Sequence, residues 1–85
     1  MSARIVSAGK PYEALVLDIT RSGLYVRTTL EVLPGHVCRI RIPYLDTTDP
    51  FRPWVRVENR RPQGCGMAFV ELDAAQMEAI ANLPR

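Results

Sequence analysis

The chain is predicted to fold as an all-β domain with small α content, an antiparallel barrel of about five or six strands followed by one C-terminal helix. Three observations predict this. Apolar residues recur with a period of two in successive short runs, and Gly and Pro punctuate those runs at close intervals. At Asp73 the period then lengthens to that of a helix. With 85 residues, 47% of them hydrophobic, the chain is sized for one domain around one core. That domain is expected to span residues 3–83.

The elements follow in order. Ala3 to Ser7 makes a short first strand, and Gly9-Lys10-Pro11 is a turn leading into a second strand from Tyr12 to Asp18. The near-continuous apolar run Glu13-Ala14-Leu15-Val16-Leu17 suggests a strand covered on both faces or one in a strongly curved sheet. Leu24, Val26 and Thr28 alternate with Tyr25 and Arg27, so one face of the third strand is core and the other partly wet. After the turn Leu33-Pro34-Gly35, Cys38, Ile40 and Ile42 alternate with Arg39 and Arg41 in the cleanest period of two in the chain.

Pro43 ends that strand, and residues 45–53, with two prolines, read as an exposed connection or a ragged edge. Strand character resumes at Trp54. Val55 and Val57 point inward, which puts Arg52, Trp54, Arg56 and Glu58 on the opposite face, continued by Arg60. Residues 60–66 read as a loop before a last strand in which Met67 and Phe69 alternate with Ala68 and Val70. Asp73 is a helix N-cap with Gln76 placed for a capping box, and Ala74, Met77, Ile80 and Ala81 form an apolar stripe. The helix is expected over about residues 73–83; at about three turns it is marginal alone and must pack on the barrel, plugging one end.

Asp18, Thr20 and Gly23 stand at spacings of an acid, a hydroxyl and a glycine in a tight reversal between two strands. A carboxylate accepts two parallel N–H bonds, a hydroxyl both donates and accepts, and Gly23 is read as permitting positive φ where the chain turns. With Arg21 inside the turn, these are the candidate ligand-binding residues. The same residues also suit an Asx-type turn that stabilises the hairpin and touches nothing else.

All but one of the 11 cations are Arg, although the net charge is only +2. Arg suits bidentate and stacking contacts. The outward Trp54 between Arg52 and Arg56 marks a candidate interaction face, since Trp and Arg are enriched in interface hot spots. A protein partner, the domain's own helix and a second copy all fit it. Single-stranded nucleic acid fits poorly, because one Trp on a nearly neutral chain is a meagre stacking platform.

Other chemistries lack their residues in sequence. No Ser is paired with a plausible base, no phosphate-binding loop of the G-x-x-x-x-G-K type occurs, and no catalytic residue is assigned, so an enzyme is not expected. His36 has no companion at metal-ligand spacing, and Cys38 and Cys65 lack a second pair, so no metal site is expected and both thiols are read as free. No apolar run approaches the ~20 residues that span a bilayer, and no secretory signal is evident at the start, so a cytoplasmic location is expected.

Taken together, Asp18-x-Thr20-x-x-Gly23, the turn at Leu33-Pro34-Gly35, the Arg-rich strand, and Gly64-Cys65-Gly66-Met67-Ala68-Phe69 before a helix resemble the PilZ domain family in order and content. These are small bacterial β-barrels that read cyclic di-GMP. The resemblance covers nearly the whole chain and implies a regulatory module of cyclic di-GMP signalling or motility, with Asp18 accepting from a guanine edge and Thr20 bonding the base or phosphate.

Two departures bear on that role. Thr20 stands where the family usually has Ser, which keeps the hydroxyl. The family's upstream pair of arginines four residues apart is missing, Arg4 being the sole arginine ahead of Asp18. Charge-assisted bonds contribute about 1.5–3 kcal/mol each, so losing two arginines costs orders of magnitude in affinity. Arg4 or Arg21 could stand in, though neither has the family's position. The expectation is a non-enzymatic module acting through protein contacts or self-association, with no cofactor and with cyclic di-GMP a weak ligand at most. The alternative is a receptor whose phosphate-binding arginines come from another protomer or from residues outside this chain.

Overall fold

In the computed structural model, which describes residues 1–84, six antiparallel strands close into a barrel in the order β1-β2-β3-β6-β5-β4. They are β1 (Ser2–Ser7), β2 (Lys10–Ile19), β3 (Gly23–Thr28), β4 (Val37–Arg41), β5 (Trp54–Arg61) and β6 (Gly64–Phe69), and one helix, α1 (Ala74–Ala81), follows. The all-β class and the single C-terminal helix are as the periodicity predicts. Closure joins β1 to β4, pairing Ile5 with Ile40, and leaves no long sheet edge open.

Alternation builds the core. Ala3 and Ile5 from β1, Val16 and Ile19 from β2, Leu24 and Val26 from β3, Cys38 and Ile40 from β4, Val55 and Val57 from β5, and Cys65 and Met67 from β6 are all buried. The outward residues of β2 are not covered as the apolar run suggested. Leu15 and Leu17 are 40% and 44% exposed, so only one face of this strand is core. Its curvature comes from a bulge between Val16 and Asp18, which places one extra residue against β3.

Two turns and the alternation of one strand differ from the prediction. The β1–β2 reversal is Ala8-Gly9, both at positive φ, so Lys10 and Pro11 already belong to β2. The predicted 60–66 loop is a two-residue turn at Pro62-Gln63, because Arg61 pairs with Gly64. A second bulge, between Val57 and Asn59, reverses the alternation of β5. Arg60 therefore pairs with buried Cys65 and donates to Thr28 O (3.2 Å), and does not continue the outward face. The turn at Leu33-Pro34-Gly35 is where the sequence puts it, with Gly35 at φ +94° and His36 N–H donating to Leu33 O.

The 45–53 segment is an exposed connection over residues 46–50 that is anchored at its ends as a ragged edge. A 3-10 turn at Pro43–Leu45 buries Leu45, and Phe51, only 2% exposed, meets Phe69 edge-to-face at 6.4 Å. Pro50 and Pro53 carry no N–H, yet the segment still pairs with β4 through its carbonyls: Phe51 O accepts from Ile42 and Pro53 O from Ile40. Burying a ring such as that of Phe51 is worth about 1.5–3 kcal/mol. Asp46 fastens the loop by accepting two bonds from Arg41 (2.6 Å each) and one from Phe51 N–H (2.8 Å).

Helix α1 starts on the predicted capping box, with Gln76 N–H donating to Asp73 Oδ1 (2.7 Å) and Asp73 N–H donating to Gln76 Oε1 (3.0 Å). Its inner stripe differs from the prediction. Ile80 is buried, with Gln76, Ala79 and Leu83 partly so, whereas Ala74, Met77 and Ala81 face solvent. The partly buried Leu72 and Leu83 flank the helix and set this rotation, seating it over the 45–51 segment.

Candidate functional site

The bulge in β2 sets up the site. After Val16, Leu17 and Asp18 are both exposed, Asp18 faces Tyr25 across the β2–β3 pair, and the chain reverses at Thr20-Arg21-Ser22. Thr20 N–H donates to Gly23 O (2.8 Å) to close the reversal, and Phe69 N–H donates to Ser22 O (3.0 Å), tying the turn to β6. Asp18 Oδ1 accepts from Ile19 N–H (2.9 Å). Thr20 Oγ1 accepts from Ser22 N–H (3.3 Å), lies 3.0 Å from Ser22 Oγ and reaches Gly23 O at 3.4 Å. Asp18 and Thr20 are thus each bonded to backbone N–H groups at the reversal.

Gly23 is required for a reason other than the predicted one. Positive φ among the glycines occurs at Gly9 and Gly35 and not at Gly23. A β-carbon at Gly23 would instead overlap Met67 O and stand 3.2 Å from Ala68 Cα. Close approach of β3 to β6, and not conformational freedom, selects glycine here.

Asp18, Thr20 and Gly23 come together in one open concavity of about 330 Å³, completed by Ser22, Leu24, Tyr25, Met67 and Ala68. Arg21 is exposed and does not line it. Among the described residues, neither does any other Arg or Lys. Arg4, five residues along β2 from Asp18 at the level of Glu13, or about 16 Å away at ~3.3 Å per residue, is bonded to Glu13 at 3.1 Å. Ser22 and Tyr25 were not predicted. The alternation that put Tyr25 on the wet face was the available signal. A larger concavity of about 540 Å³, lined by Glu31, Val32, Leu33, Arg60, Arg61 and Pro62, contains none of the motif residues.

Arg52, Trp54 and Arg56 share the outward face of the β5 region. Trp54 is 49% exposed, and the Arg39 guanidinium lies over its ring at 5.1 Å, held in place by donating to Arg52 O (2.7 Å). Arg56 is paired with Glu58 at 3.0 Å. The register connects this face to the motif: Gly23 pairs with Ala68, which pairs with Arg56, so the two regions lie two strands apart, about 10 Å at ~4.8 Å per strand. Ala68 lines the concavity between them.

His36, although exposed, is bonded to Ser7 Oγ through Nε2 at 2.8 Å. Cys38 and Cys65 are free and buried; burial pushes the Cys38 thiol up to about 11, with Cys65 adding to the shift, and burial raises Cys65 as well. Among the described residues no cluster of three or more His, Cys, Asp or Glu side chains is placed to hold a metal ion.

A closed six-strand antiparallel barrel with an acid, a hydroxyl and a close-approach glycine on its outer wall defines a small β-barrel module whose ligand-type turn lies outside the barrel. The chain belongs to the PilZ domain family, whose model matches residues 1–83. The family is one of non-catalytic regulatory domains that bind cyclic di-GMP in signalling. Comparison with curated proteins finds no match. No helix among the described residues is long and apolar enough to cross a membrane.

Proposed function

We propose that this domain is a non-enzymatic regulatory module that acts through protein contacts on the Arg52, Trp54 and Arg56 face, in bacterial signalling or motility within the cytoplasm, and binds cyclic di-GMP weakly or not at all on its own. The observation that carries the reading is that no described Arg or Lys lines the concavity around Asp18, Thr20 and Gly23. Cyclic di-GMP carries two phosphates, and neutral hydrogen bonds exchange for water at little net gain. The larger, charge-assisted share of affinity has no source in this lining.

Asp18 and Thr20 are, in addition, already bonded to their own turn. A ligand would compete with the bonds of the Thr20 hydroxyl, whereas the Asp18 carboxylate keeps acceptor capacity.

Calorimetric titration of cyclic di-GMP into protein at roughly tens of micromolar, where sub-micromolar binding would give a saturable isotherm, tests the reading. Little heat is expected. Saturable sub-micromolar binding that Asp18→Ala abolishes would overturn it and promote a second reading, a receptor whose arginines come from another protomer or from outside this chain. That second reading is favoured by one observation, the gathering of the motif residues into a single open concavity.

A further inference from the structure

We infer that the contact face is self-complementary and that its occupant is the outer ridge of helix α1 of a second copy, in a reciprocal two-fold dimer. The inference rests on the reading of Arg52, Trp54 and Arg56 as a contact face.

The register assembles a band that sequence does not show. Val6 of β1 pairs with Arg39 of β4, which pairs with Trp54 of β5, and Val70 N–H donates to Trp54 O (3.0 Å). Val6, Trp54 and Val70 are 42%, 49% and 51% exposed, and Val37, at 49%, lies one row along. The band is therefore apolar and cationic together. Arg39 and Arg52 have no carboxylate partner among the described residues, while Arg56 is neutralised by Glu58.

Helix α1 presents the converse chemistry. Its solvent side carries Ala74, Met77, Glu78 and Ala81, with Met77 standing 39% exposed between small neighbours. From Glu71 to Pro84 the chain has no Lys or Arg, and Glu71 and Glu78 have no cationic partner among the described residues. Met77 matches the exposed indole, since thioether–aromatic contacts are favourable. Glu78 matches Arg39 and Arg52.

A two-fold axis makes the pairing reciprocal. Only Glu71, Leu72 and Asp73 separate Val70, the end of the band, from the first residue of α1. The two complementary patches are thus close along the chain, and an axis that sets one against the other joins both pairs at once, residue i meeting j and j meeting i. Size sets the strength. With strands ~4.8 Å apart and a helix rise of ~1.5 Å per residue, each patch covers roughly 200 Å² or less. Both together bury at most roughly 400 Å² per partner, about half of the ~800 Å² of a stable interface, so the dimer is weak and transient.

Sedimentation analysis of the 85-residue chain tests this. From about 10 μM to 1 mM protein, a monomer–dimer equilibrium with a dissociation constant on the order of 10–100 μM is expected, weakened several-fold by ~0.5 M salt. Trp54→Ala, E78R and R52E should each weaken it at least about tenfold. An equimolar mixture of E78R and R52E should restore it, because in the mixed pair both contacts again join opposite charges. Far-UV circular dichroism confirms that each variant is folded, with Trp54→Phe as a milder substitute.

A monomer throughout, a mixture that fails to recover, or open-ended oligomers would overturn the reciprocal dimer. Association that depends on Trp54 but not on Glu78 would remove the helix as occupant and leave the contact face standing. Association unchanged in Trp54→Ala would remove the face itself.

Discussion

Replacing Gly23 by Ala adds a methyl at the closest approach of β3 to β6, where it overlaps Met67 O and meets Ala68 Cα at 3.2 Å. Both obstacles are backbone, so no side chain can swing aside. Relief requires the strands to part, and overpacking of this kind costs about 1–3 kcal/mol. Parting also strains the bonds that hold the turn, Thr20 N–H to Gly23 O (2.8 Å) and Phe69 N–H to Ser22 O (3.0 Å). Each is worth about 0.5–1.5 kcal/mol, while Ala returns roughly 0.5–1 kcal/mol by restricting the unfolded chain. The net loss is about 1–5 kcal/mol. For a domain of this size that lowers Tm by about 4–40 °C, at 4–8 °C per kcal/mol.

Urea and thermal unfolding followed by circular dichroism measure the loss directly. Gly35→Ala is the comparison, because that residue has φ +94° and nothing within 4 Å of an added β-carbon. It incurs only backbone strain, about 1–2 kcal/mol. A Gly23→Ala variant within about 0.5 kcal/mol of wild type, or one less affected than Gly35→Ala, would refute the close-approach explanation.

Three further outcomes are expected. Asp18→Ala and Thr20→Ala should each cost about 0.5–2 kcal/mol in chemical denaturation, since both side chains bond the turn's own backbone; unchanged midpoints for both would return the motif to a purely ligand-facing role. The Arg41 guanidinium, followed by Phe51 N–H, holds the Asp46 carboxyl below its ordinary range. Its contribution is thus present above the usual Asp pKa of about 3.9 and lost as pH falls through the lower folded value, and Asp46→Asn should flatten that part of the stability–pH curve. Cys38 and Cys65, buried and with raised thiol pKa values, should resist a thiol-specific disulfide reagent at about pH 8 until denaturant is added, and prompt reaction of the native protein would show the core to be open.

Much of this protein is legible along the chain because its signals are local. Cys38, Ile40 and Ile42 alternate with arginines and all three are buried, and Asp73 and Gln76 close the capping box their spacing suggests. Pro34-Gly35 likewise specifies its own turn. Where neighbours in space are distant in sequence, local pattern fails. The bulge at Val57/Asn59 turns Arg60 inward, although alternation alone leaves it on the Trp54 face.

The candidate site divides in the same way. Sequence determines that an acid, a hydroxyl and a glycine occupy one reversal and that Arg52, Trp54 and Arg56 share one outward face. Only the tertiary structure decides that Gly23 is needed for the approach of β6, that no described Arg or Lys lines the concavity, and that Ala68 brings the motif within two strands of Arg56. Side-chain periodicity is written residue by residue, whereas barrel closure sets which strands are neighbours. Pairing β3 with β6 joins segments about 40 residues apart at ~4.8 Å spacing, and no short-range pattern encodes that contact.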